Sequence, residues 1–124
     1  MNSRKVLLKK CNHCGKVVEE IVNSFNDTIC CGEAMKKITC NEADTSNANH
    51  IPTYEILEGK IKVILNHEID EEHYIMWIKL VYKNEEKTFF FKPGEEIDAI
   101  GHYEPGMKIY VYCNLHGLWI REVV

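Results

Sequence analysis

"HYIMWIKLVY", residues 73–82, is made almost wholly of aromatic, β-branched and aliphatic residues. Its apolar part, 74–82, carries Lys79 and falls well short of the ~20 residues a helix needs to cross a bilayer. No stretch of the chain sustains a 3.6-residue apolar period, so long helices are not expected and this run reads as a strand. Around it, "TYEILEGKIKVIL" (53–65) gives two alternating runs about Gly59, and "KTFFF" (87–91), "MKIYVYC" (107–113) and "LWIREVV" (118–124) follow. The breaks fall at "KNEE", "KPGEE" and "EPG". About six strands at this spacing predict an all-β antiparallel sandwich over residues 53–124.

The 40 residues at the other end have a different character. Residues 1–40 hold seven Lys/Arg and four Asp/Glu, a net charge of +3, whereas residues 41–124 hold eight and fifteen, a net charge of −7. The acidic part argues against nucleic-acid binding, and the basic part is too weakly charged to argue for it. The asymmetry predicts two modules: a small one over 1–38 and the sandwich over 53–124. Between them, "TCNEADTSNANHIP" (39–52) is an aperiodic connector rich in Asn, Ser, Thr and Asp. In the small module, "KVLLKK" (5–10) and "KVVEEIV" (16–22) are short strand candidates around the turn "CNHCG". The N-terminal residues "MNSRKVLLKKC" lack the apolar core of a secretory signal, so a cytoplasmic, reducing location is expected.

Five of the six cysteines lie in the first 40 residues. In a reducing compartment such clusters read as metal ligands before disulfides. The spacing is Cys11-x2-Cys14-x15-Cys30-Cys31, with Gly15 easing the first turn. Four thiolates suit tetrahedral zinc or iron, and spacing alone leaves the two open. A metal here would staple a module too short to bury a sufficient core. Adjacent Cys30 and Cys31 predict a distorted site. Cys40 has no partner at a useful spacing and reads as a lone small hydrophobe or free thiol.

The histidines divide. His13, inside the Cys-x-x-Cys turn, reads as solvated, and His102 in "AIGHYEPG" as a loop residue. In "CNLHG", Cys113 ends a strand and His116 lies three residues on, a spacing that lets thiolate and imidazole share one metal. His67 and His73 flank the acidic loop "EIDEE" between two strand candidates. His50 stands in "NANHIP", a segment with nothing to bury, just ahead of Pro52. Four histidines and a cysteine at strand ends and loops exceed what chance readily supplies.

Taken in order, "KCNHCG…ICCGEAMK", "NHIP", "NHEIDEEHYIMWI", "FFFKPG" and "YCNLHGLW" resemble the desulfoferrodoxin family, the two-iron form of superoxide reductase. The resemblance covers nearly the whole chain. It implies a rubredoxin-like iron on Cys11, Cys14, Cys30 and Cys31, in a desulforedoxin-like domain. It also implies an immunoglobulin-like sandwich whose iron has His50, His67, His73 and His116 as equatorial ligands and Cys113 as the axial one. The implied reaction is one-electron reduction of superoxide to hydrogen peroxide, with a rubredoxin-type protein returning the electron. The family also implies a homodimer.

The chain departs from the family at one place. The first histidine ligand there usually follows Glu-Lys; here Ala48-Asn49 precedes His50. The lysine's positive charge, which would attract superoxide, is absent, and Asn49 can offer a hydrogen bond but no charge. Lys92 in "FKPG" is a candidate substitute. An iron site with one thiolate and four neutral imidazoles still has a formal charge of about +1, and charges beyond about 8 Å are largely screened at physiological salt. Retained reduction with weaker steering is therefore expected. The alternatives are an iron-binding electron-transfer protein with reduced or lost catalysis, and a zinc-stapled module joined to an immunoglobulin-like interaction domain.

Overall fold

The strands run in the order β1 (Leu8–Lys10), β2 (Val17–Glu19), β3 (Ile29–Cys30), β4 (Glu33–Ala34), β5 (Lys36–Lys37), β6 (Cys40–Asn41), β7 (Thr53–Leu57), β8 (Lys60–Ile64), β9 (Ile75–Tyr82), β10 (Glu85–Phe90), β11 (Ile100–His102), β12 (Lys108–Cys113) and β13 (Gly117–Glu122). They are those of a computed structural model that describes residues 6–24, 26–41, 52–65, 72–114 and 117–124, with the backbone alone at 40 and 41. Among the described residues, no helix is long and apolar enough to cross a membrane. The chain divides into two compact units, Lys5–Thr39 and a larger one holding Cys40–Val124.

In the small unit, β1 lies between β2 and β5, and β3 pairs with β4 in a separate hairpin. The strands are two or three residues long, and among the described residues only Val6, Leu8, Cys11 and Met35 are buried there. So few side chains cannot hold 35 residues by burial alone.

The larger unit is a two-sheet sandwich. One sheet has the order β10-β9-β12-β13-β6 and the other β11-β8-β7. The core takes alternate residues from both: Ile61 and Val63 of β8, Ile78 and Leu80 of β9, Ile109, Val111 and Cys113 of β12, and Trp119 of β13. This period-2 burial is what the alternating runs predict. Two-residue loops set the register where the sequence has turn signals. Leu57 faces Lys60 across Glu58-Gly59, both left-handed (φ 53° and 75°), the combination that matches the twist of paired strands.

Two elements differ from the sequence reading. Ile100–His102 is a strand, paired with β8, so His102 ends a strand rather than lying in a loop. Its middle residue is Gly101, where an added Cβ would sit 2.5 Å from Leu80 Cδ1; glycine lets β11 approach the core and also hides the strand from pattern reading. Cys40–Asn41, near the start of the connector, pairs in parallel with β13.

The ladder between β9 and β12 contains the feature that matters most for the site. Tyr112 faces Trp77, but Cys113 faces Ile75, so Met76 is an extra residue. This bulge reverses the alternation of β9: Ile78 and Leu80 face the core on one side of it, Ile75 on the other. The stacked rings of Trp77 and Tyr112, 5.4 Å apart and 8° from parallel, pin the register beside it.

Candidate metal centres

The first centre is built by two turns. Cys11 accepts a backbone hydrogen bond from Gly15 N–H (3.0 Å) and donates one to the Lys16 carbonyl (2.9 Å), which closes the Cys-x-x-Cys loop; Gly15 is left-handed at φ 80°. The second turn is the loop between β3 and β4. Cys30 faces Glu33 across Cys31-Gly32, both left-handed (φ 54° and 77°). A left-handed non-glycine residue costs about 1–2 kcal/mol, and Cys31 adopts it in the hairpin turn that brings adjacent sulfurs to one point.

The four sulfurs lie within 4.8 Å of one another. Cys14–Cys30 is 3.6 Å and Cys30–Cys31 3.9 Å. A tetrahedron with ~2.3 Å metal–sulfur bonds has edges of roughly 3.8 Å, so the residues fit a tetrahedral ion. The vicinal pair reaches the cluster through the left-handed turn at Cys31. Cys11 is buried, whereas Cys14 and Cys31 are exposed, so the cluster opens to solvent on one side.

Proton affinities within the cluster are split. The Cys14 and then the His13 backbone N–H groups point at the Cys11 sulfur and lower that thiol to about 6. Cys30 is pushed up to about 12 by its contacts with Cys14 and then Cys11, and Cys31 is raised by its contact with Cys14 first. Metal-free protein at pH 7 therefore keeps protons on Cys30 and Cys31, and loading must expel them. At least two protons should appear per metal bound at this centre, and apparent affinity should fall by about a hundredfold per unit of acidification near neutrality. Titration of metal-free protein with Zn(II) or Fe(II) in weak buffer measures the release; no release would contradict the proton placement.

His13 is exposed, as expected, but it is not idle. Its Nε2 meets a Glu33 carboxylate oxygen, which ties the first cysteine turn to the second. Only the folded register shows this, because the two residues are 20 apart.

The second constellation lies where β9 and β12 meet. Cys113 is wholly buried at the end of β12. Because of the bulge it pairs with Ile75, two residues after His73. The next residue, Asn114, holds the segment before β9. Its N–H donates to the Tyr74 carbonyl (3.2 Å), its Oδ1 accepts from Tyr74 N–H (2.9 Å), and its Nδ2 donates to the Glu72 carbonyl (2.8 Å). Thus the backbone around His73 is bound beside the Cys113 strand end. Asn49, His50, His67 and His116 lie outside the described residues. Lys92 opens the Pro93-Gly94 turn, where its N–H donates to Glu95 Oε1 (2.9 Å). A buried sulfur with an imidazole-bearing segment fastened to its strand end suits a mixed histidine–thiolate metal site. The side-chain clamp of Asn114 leaves no signal in the sequence, because its partners are 40 and 42 residues away.

The profile of the desulfoferrodoxin family matches residues 38–122. The desulfoferrodoxin of Desulfarculus baarsii is 34% identical over 117 residues, covering 91% of this chain and 93% of that protein. The desulfoferrodoxin of Nitratidesulfovibrio vulgaris is 35% identical with the same coverage. The superoxide reductase of Treponema pallidum shares the fold, with a TM-score of 0.74 at 19% identity, over 95% of this chain and 98% of that one. With its all-β architecture, its four-cysteine cluster and these matches across both units, the chain belongs to the desulfoferrodoxin family.

Proposed function

We propose that the protein is a superoxide reductase, acting in the reducing cytoplasm. The observation that carries this reading is the buried Cys113 with the His73 segment fastened to its strand end, in a chain of this family. His50, His67, His73 and His116 with Cys113 form the proposed ligand set of one iron, and Cys11, Cys14, Cys30 and Cys31 that of the other. When bound, the histidine–cysteine iron supplies one electron to superoxide, which with two protons becomes hydrogen peroxide.

The chain's own residues shape that reaction. Burial of Cys113 shields its sulfur from oxidants that would carry it up the oxidation ladder. Its sulfur would be one of the groups that hold the iron, and hydrogen bonds to that sulfur would tune how much charge it donates. Asn49 stands where the family usually carries a lysine, and it offers a hydrogen bond without charge. The exposed sulfurs of Cys14 and Cys31 face outward, which suits electron entry from a rubredoxin-type donor. The assembly proposed is a homodimer.

Superoxide consumption by pulse radiolysis, with hydrogen peroxide counted and oxygen evolution monitored, tests the reading. One hydrogen peroxide per superoxide without oxygen supports a reductase; oxygen evolution would replace it with a dismutase. Asn49→Lys should speed consumption by up to about tenfold at low ionic strength and steepen its salt dependence. An unchanged rate and salt slope would remove the steering argument. The Ala48-Asn49 pair favours one second reading, an iron-binding electron-transfer protein. In that case both irons would cycle with a donor while superoxide persisted.

A further inference from the structure

We propose that Asn114 is a positioning residue for the histidine–cysteine centre: its carboxamide clamps the backbone on both sides of His73 and so fixes that residue relative to Cys113. This rests on the ligand set proposed above.

The clamp solves a local problem of the fold. The bulge at Met76 ends the regular β9–β12 ladder, and the chain turns out of the sheet at Asn114. In an unbroken antiparallel pair, backbone groups on β12 would satisfy the segment before Ile75. Here the Asn114 side chain does so, accepting from Tyr74 N–H at 2.9 Å and donating to the Glu72 carbonyl at 2.8 Å. The backbone N–H of Asn114 adds a third bond, to the Tyr74 carbonyl at 3.2 Å. The residue between those two anchor points is His73. The same carboxamide oxygen is 4.0 Å from the Cys113 sulfur, so one side chain spans the strand end of the thiolate and the segment of the imidazole.

The chemistry specifies asparagine. One planar group must accept from an N–H and donate to a carbonyl. Aspartate keeps the acceptor but presents negative charge to the Glu72 carbonyl; alanine and leucine offer neither function. Only the carboxamide frees the backbone to turn while still holding the neighbouring segment. Loss of such an outer partner typically costs about 10–100-fold in metal affinity.

The test uses iron-loaded full-length protein. Three quantities are measured: iron retention at each centre against a ferrous chelator, the ferric thiolate absorption of the Cys113 centre, and hydrogen exchange of the Tyr74 amide. Asn114→Ala should weaken iron at this centre about 10–100-fold, shift its absorption and speed Tyr74 exchange, while the four-cysteine iron is retained as in the native protein. Asn114→Asp should fall between the two, and it decides the matter if the alanine variant does not fold. His73→Ala and Cys113→Ser are measured alongside. If these two keep iron as the native protein does, the ligand assignment itself is wrong. If they lose it while the Asn114 variants match the native protein, the clamp is overturned and the ligand assignment stands. Weakened iron with native Tyr74 exchange would also overturn the clamp, because the loss would then not pass through the His73 backbone.

Discussion

Cys113→Ser is expected to cut superoxide consumption by more than the ~10–100-fold that loss of an outer partner costs, and to erase the ferric thiolate absorption of the histidine–cysteine centre. Serine is nearly the same size, so the core around it stays filled. Its hydroxyl, however, is a hard, un-ionised donor where a soft thiolate is required. The position is wholly buried among Ile75, Val111 and Trp119, so the substitution also places a hydroxyl in an apolar cluster. That should cost about 1–3 kcal/mol of stability. Denaturant unfolding of the metal-loaded variant separates the effects: a small fall in stability with a large fall in activity is the expected pattern. Native activity in a variant lacking the thiolate absorption would remove Cys113 from the mechanism.

The second large effect concerns the small unit. Stripping its metal, or changing Cys30 to Ser, should unfold residues 5–39 while the sandwich keeps its structure. Four buried side chains among the described residues, and strands of two or three residues, leave that unit with too little apolar burial to offset the entropy of ordering 35 residues. It also bears a left-handed Cys31 and thiols whose proton affinities are pushed apart. A structural metal of this kind contributes on the order of 10–16 kcal/mol of binding free energy in small zinc domains. Hydrogen exchange reads the outcome. Amides of β1, β2 and β5 should lose protection on metal removal, and those of β9 and β12, within their own core, should not. Persistent protection of β1 and β2 in metal-free protein would show that the unit is held by something other than its cysteines.

Much of this was legible in the sequence. Alternating runs gave β7, β8, β9, β10, β12 and β13 because strand burial repeats every two residues, a local signal. The cysteine turns were legible because a metal knuckle needs its thiolates at fixed short spacing and a left-handed residue after them. The strand at Ile100–His102 was not, since three residues with a central glycine carry no pattern. Nor was the left-handed turn that carries the vicinal cysteines, which depends on Cys31 entering a two-residue hairpin turn. The assignments of Asn49, His50, His67 and His116 are part of the proposed function and rest on the family resemblance.

The all-β class, the four-cysteine cluster and the residue types available at the second centre are all readable in the sequence. Each of these is written within a few residues, or in a repeated short spacing. The tertiary structure alone decided how β9 meets β12: the extra residue at Met76, the switch of Ile75 to the core face, the His13–Glu33 tie and the Asn114 clamp. These are hydrogen bonds and registers between segments 20 to 42 residues apart. Their partners are fixed by which strands pair and where a ladder breaks, and no local stretch of sequence encodes that.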